Sequence, residues 1–138
     1  MLIYPITGRH RNTASHRAFA EGYLLDAKLL HWFRDNYQPD VEKRDDWRFA
    51  PLDGKGAKGA PVALDGVSPA CILVAGYDPL HDEGVAYAAR LREAGIAVEL
   101  LDYPGMVHGF FQYGGAIDTA RAALREAVLA LRRAFGSA

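Results

Sequence analysis

Asp78 and His108 are the two side chains whose types and spacing invite proton chemistry. Each follows an apolar run, ACILVA at 70–75 and VELLDY at 98–103, and 30 residues separate them. A histidine works as a general base only when a partner holds its tautomer and stabilises the imidazolium it becomes. One helix-spaced segment and one strand-like run lie between the pair, so adjacent parallel strands would deliver both to the same rim. A contact of roughly 2.6–3.2 Å is feasible there, and ligands of open α/β sheets bind outside the carboxyl ends of the strands. Spacing alone leaves plainer readings open. An aspartate before proline at a strand-to-helix turn is commonly a turn-former or helix cap, and a histidine before glycine in a loop is commonly just solvated.

The elements that would position the pair are legible in order. Met1 to Ile6 is a short apolar run closed by Pro5, the pattern of a buried strand. Thr7 to Gly22 is polar, with GRHR at 8–11, and predicts a solvated loop. Residues 24–37 place Leu25, Leu29, Trp32 and Phe33 on one helical face. Asp26 is the expected N-cap, with Leu25 and Leu30 as the hydrophobic staple around it. The stretch Gln38 to Val67 is punctuated by Pro39, Pro51, Gly54, Gly56, Gly59, Pro61 and Gly66, which predicts a long irregular connection. Within it, GKGAKG lacks the glycine-and-lysine spacing of a phosphate-cradling loop.

The unalternating run Ala70 to Ala75 predicts a strand covered on both faces. A helix over 82–94 follows, with Gly84, Tyr87, Ala88, Leu91 and Ala94 along one stripe and Arg90, Arg92 and Glu93 outward. Asp82 and Glu83 suit the positive end of its dipole, and Gly95 suits its stop. Val98 to Tyr103 is the next strand, ended by Pro104-Gly105. A last helix carries Ala120, Ala123, Leu124, Ala127, Val128, Leu131 and Phe135 at helical spacing. Alternation of strand and helix predicts a parallel sheet with crossover helices.

Bulk properties exclude several classes of function. Sixteen basic residues against 17 acidic ones leave no footprint for nucleic acid or an anionic membrane. No apolar run approaches the roughly 20 residues of a membrane span, and the first residues have no basic region ahead of an apolar core. The lone Cys71 fits a reducing, cytoplasmic compartment and predicts a small buried hydrophobe. No metal cluster or dinucleotide fingerprint occurs, so no cofactor is implied.

The wording of two segments adds to their spacing. AGYDPLHDEG at 75–84 and AGIAVELLDYPGMVHGFF at 94–111 closely resemble the C-terminal part of the hormone-sensitive-lipase-like (family IV) esterases, α/β-hydrolases of the fold-3 type. The resemblance extends upstream through LIYP, AEGYLL with its Trp-Phe helix, and DDWRFAPL. It implies a three-layer α/β-hydrolase fold. It also implies a carboxylic-ester hydrolase in which Asp78 is the orienting carboxylate and His108 the general base and acid of a Ser-His-Asp triad. His81 departs from the arginine usual in the family, which concerns a surface contact. Trp32, Phe33, Met106, Val107 and Phe110 are candidates for either a substrate pocket or the core.

A larger departure is the nucleophile. This fold places its serine on a G-x-S-x-G elbow, after an HGGG-type oxyanion loop. Neither occurs here, and Ser15, Ser68 and Ser137 lie in no such elbow. The expectation is that residues 1–138 form the C-terminal part of one α/β-hydrolase domain, with cap, oxyanion loop and elbow outside it. Such a chain would be inactive alone and would act on a small-molecule ester once completed by an N-terminal half. It would also be prone to self-association through an exposed sheet edge. Two alternatives stay open: a non-catalytic α/β module for binding or assembly, and one half of a split enzyme.

Overall fold

A computed structural model of the chain describes residues 1–9, 12–56 and 59–136. Parts of GRHR and GKGAKG, and Ser137, lie outside the described residues. Three parallel strands are ordered β1 (Leu2–Ile3), β2 (Ala70–Tyr77), β3 (Val98–Val107). The central strand pairs Ile72 with both Leu2 and Leu100, and Leu73 with both Ile3 and Leu101.

Side chains of β2 alternate between two helical layers. Ile72 and Val74 pack with Ala88 and Leu91 of α3 (His81–Glu93). Leu73 and Ala75 pack with Phe110 and with Ala120 and Ala123 of α4 (Asp118–Phe135). Both faces are therefore covered, which is why the strand is apolar without alternation. Burial of each large side chain here contributes about 1.5–3 kcal/mol. The result is the helix–sheet–helix architecture expected from the sequence.

Several local expectations are corrected. The strand near the start is two residues long, and Leu2 and Ile3 are each more than one-third exposed rather than buried, because β1 is the outer strand. The segment Thr7 to Gly22 is not simply a solvated loop. It contains α1 (Ala14–Ala18), capped by the Thr13 hydroxyl, and it buries Thr7, Ser15 and His16. The strand β3 runs through Pro104-Gly105 to Val107. An edge strand tolerates proline because one side of its backbone carries no ladder bond.

The second helix, α2 (Ala27–Tyr37), has its predicted cap. Asp26 Oδ1 accepts from the Leu29 amide at 2.7 Å, and Leu25 and Leu30 meet in one buried cluster with Leu80. Its inward face differs from the one expected. Leu29, Trp32 and Phe33 are exposed, whereas Leu30 and Arg34 are buried. Arg34 donates to the carbonyls of Gly8 (3.1 Å) and Arg9 (2.7 Å), so the helix docks on a loop through polar bonds.

Over its described residues the long connection is irregular as anticipated, with a 3₁₀ turn at Val41–Asp45. Arg90, expected to face outward, instead reaches back to this connection. Its guanidinium donates to the carbonyls of Pro51 (2.6 Å), Leu52 and Val62 (2.9 Å). On α4 only the alanine edge is buried: Ala120, Ala123 and Ala127 allow close approach, while Leu124, Val128, Leu131 and Phe135 remain exposed. Cys71 is half-buried rather than fully buried. Burial, and then the charge of Glu99, push its thiol up. Among the described residues no helix is long and apolar enough to cross a membrane, and no group of three His, Cys, Asp or Glu could hold a metal ion.

Candidate active site

The carboxyl ends of β2 and β3 carry Asp78 and His108, and the structure brings them together. Asp78 Oδ2 lies 2.7 Å from His108 Nδ1. Asp78 is essentially inaccessible to solvent, while the His108 side chain is 28% exposed. One end of the pair is thus sheltered and the other open to a reactant.

Asp78 closes a turn and meets the imidazole at once. Its Oδ1 accepts from the Leu80 amide at 2.9 Å, closing the turn into α3, and its carbonyl accepts from the His81 amide at 3.1 Å. The turn thereby orients Oδ2 towards the histidine. A carboxylate accepts and does not donate, so Nδ1 carries the proton of this bond and Nε2 presents a lone pair.

The loop bearing His108 is held by its neighbours in sequence. Gly109 has φ of 80°, a left-handed conformation suited to glycine. The next residue, Phe110, is completely buried against Leu73, Ala75, Ala120 and Ala123. Phe110 is therefore core. Met106 and Val107 are half-buried, and Met106 packs against the same cluster. Of the other pocket candidates, Phe33 lines an apolar cleft of about 440 Å³ with Ile6, Arg34, Tyr37, Arg48, Phe49 and Pro51, a set that includes neither Asp78 nor His108. Trp32 is exposed and packs edge-on against Phe33.

The close approach of β2 and β3 just before the site depends on Gly76. Pairing shifts from Ala75↔Tyr103 to Tyr77↔Val107, so β3 advances two residues more than β2. A Cβ at position 76 would lie 2.6 Å from Pro104 Cα. Gly76→Ala should therefore destabilise the chain by about 1–3 kcal/mol and loosen the Asp78–His108 contact, read as a lower urea midpoint. An unchanged midpoint would mean that the strands can part at no cost.

A second polar cluster braces the Asp78 loop, and the sequence did not disclose it. Glu83, assigned only to the helix dipole, is fully buried. Its Oε1 accepts from the amides of Thr7 (2.6 Å) and Gly8 (3.2 Å), and its Oε2 lies 3.4 Å from His16 Nε2. Burial raises the Glu83 carboxyl to about 7, against the lowering effect of the two amides. Ser15 Oγ donates to the Pro79 carbonyl at 2.7 Å, and its amide donates to Asp82 at 2.9 Å. The only sequence signal was polarity in a segment read as solvated. His81 lies between Asp82 (3.2 Å) and Asp102 (3.3 Å) on the surface, the peripheral place expected for it.

Comparison with known proteins identifies the family of the chain. Residues 1–112 match the family described as the alpha/beta hydrolase fold. An ethyl acetate hydrolase of Pseudomonas putida is 40% identical over 133 residues, covering 96% of this chain and 40% of that protein. The carboxylic ester hydrolase LipN of Mycobacterium tuberculosis is 40% identical over 136 residues, covering 95% of this chain and 33% of that protein. The crystal structure of EstE1, a thermostable carboxylesterase from a metagenomic library, superposes with a TM-score of 0.84 at 34% identity, over 96% of this chain and 43% of that one. The chain thus spans about one-third to two-fifths of the length of these relatives. With its parallel sheet, covering helices and motif-bearing loops, the chain belongs to the α/β-hydrolase fold family, in its hormone-sensitive-lipase-like esterase branch.

Proposed function

We propose that this chain supplies the acid and the histidine of a carboxylic-ester hydrolase, as the C-terminal part of its catalytic domain. The reading rests on one observation above all, the 2.7 Å contact between a buried carboxylate and a partly exposed imidazole at the carboxyl ends of adjacent strands. In that role His108 Nε2 takes the proton of an attacking serine hydroxyl and later returns it to the departing alcohol. Asp78 keeps the tautomer and offsets the charge of the imidazolium between those two transfers. The substrate is a small ester, the class named for the relatives.

The serine comes from polypeptide outside residues 1–138. Ser15 is committed to Pro79 and Asp82, Ser68 is exposed on the long connection, and neither is bonded to His108. The open side of β1 is the natural place for the completing segment, since a strand laid there would satisfy an unpaired backbone edge.

The isolated chain should accordingly hydrolyse p-nitrophenyl acetate no faster than buffer. Without serine and oxyanion loop, even the residual rate of about 10³–10⁴ over water that survives loss of one triad member is forfeited. Turnover by the isolated chain that disappears in His108→Ala would refute the assignment and require another nucleophile.

A further inference from the structure

Tyr4 stands at the end of β1, 104 residues from His108, yet it meets the catalytic loop twice. Its ring centroid lies 4.7 Å from that of the imidazole, with the planes inclined at 42°. Its hydroxyl accepts from the Phe111 amide at 3.0 Å, three residues beyond the histidine. A third contact, edge-on to Phe110 at 6.0 Å, seats the same ring in the core.

The backbone at this position is costly. Tyr4 is the non-glycine residue with positive φ among those described, at 48°. Left-handed geometry is rare for a bulky side chain. The following Pro5 favours extended backbone at this position by crowding. Strain of this kind persists only where the surroundings over-determine it, and it gathers at functional sites. Here the surroundings are the hydrogen bond that the Tyr4 amide donates to the Leu73 carbonyl at 2.9 Å and the two ring contacts.

We propose that Tyr4 is a positioning residue for His108, walling one face of the imidazole with its ring while its hydroxyl holds the backbone beyond. This inference rests on the assignment of Asp78 and His108 as the acid and histidine of the hydrolase. A general base that cycles between neutral and charged forms must not swing away from its carboxylate in either. The phenol face blocks one direction of swing and attracts the imidazolium through the ring quadrupole. Burial, opposed by the Phe111 amide and helped by the Asp78 charge, pushes the phenol up to about 12, so the hydroxyl remains uncharged while a histidine titrates. Among the described residues, the titratable groups in contact with the imidazole are Asp78, from the loop after β2, and Tyr4, from the end of β1.

The test is histidine NMR on the 138-residue chain with ring-labelled histidine, His108 being assigned by His108→Gln. In Tyr4→Leu the His108 midpoint should fall by about half a pH unit, the size of a partly exposed cation–π contact, and its bonded Nδ1 proton should broaden. In Tyr4→Phe the midpoint should hold, while the Phe111 amide exchanges about tenfold faster for want of its acceptor. Asp78→Asn separates the two levels of argument. If it leaves the His108 titration untouched, the acid–imidazole assignment fails. If it moves the midpoint and Tyr4→Leu does not, only the role of Tyr4 fails. Should Tyr4→Leu not fold, Tyr4→Phe decides, and an unchanged Phe111 exchange rate overturns the proposal.

Discussion

Asp78→Asn should lower kcat for a short-acyl ester about 10⁴-fold in an esterase assembled from this chain and an N-terminal segment bearing the serine elbow. The reason is specific to the turn. Oδ1 of Asp78 accepts from the Leu80 amide while Oδ2 faces His108. An asparagine must keep its oxygen towards Leu80 to preserve the turn, which directs its NH₂ at Nδ1. Nδ1 is then compelled to accept, the proton moves to Nε2, and the base is lost. A fall of that size corresponds to about 5.4 kcal/mol of barrier. KM should change little, since Asp78 is buried away from the open end of the pair. A decrease of less than tenfold would show that the contact is a structural brace and not part of the chemistry.

Glu83→Gln should remove a pH dependence of stability of about 3 kcal/mol. The carboxyl is raised by burial from an ordinary value of 4.5 to about 7 in the folded chain. The folded state therefore holds the proton more tightly than the unfolded one. It follows that the group favours folding most below about pH 4.5, loses that advantage as pH rises to about 7, and has no further effect above it. Glutamine remains neutral at every pH and still offers an oxygen to the Thr7 and Gly8 amides. Urea unfolding at pH 5 and pH 8 should show a larger loss in the parent than in the variant, and parallel losses would sink the assignment. Glu83→Ala is the harsher change. It strands two buried amides and should cost roughly 2–6 kcal/mol at either pH.

How much of this was legible beforehand follows from where the information lies. The apolar run at 70–75 disclosed a strand covered on both faces because consecutive residues carry that signal. The Asp26 cap and its staple were equally local. The pairing of Asp78 with His108 needed one inference more, that parallel strands present their loops at a common rim. Two of the departures show why the rest was not. Leu29, Trp32 and Phe33 satisfied the helical period as well as Leu30 did, and nothing in the period says which side meets protein. Arg90 looked like a solvated charge until the long connection folded back over it.

The sequence by itself determined the layered α/β architecture and singled out the two residues proposed here for the chemistry, because alternation, periodicity and motif wording are properties of neighbouring positions. Tertiary structure decided the rest. It chose which face of α2 and α4 is buried, gave Glu83 its amide partners 75 and 76 residues away, and set Tyr4 against His108. Such contacts depend on distances between segments remote along the chain, and these exist only once the sheet has formed and its loops have come together.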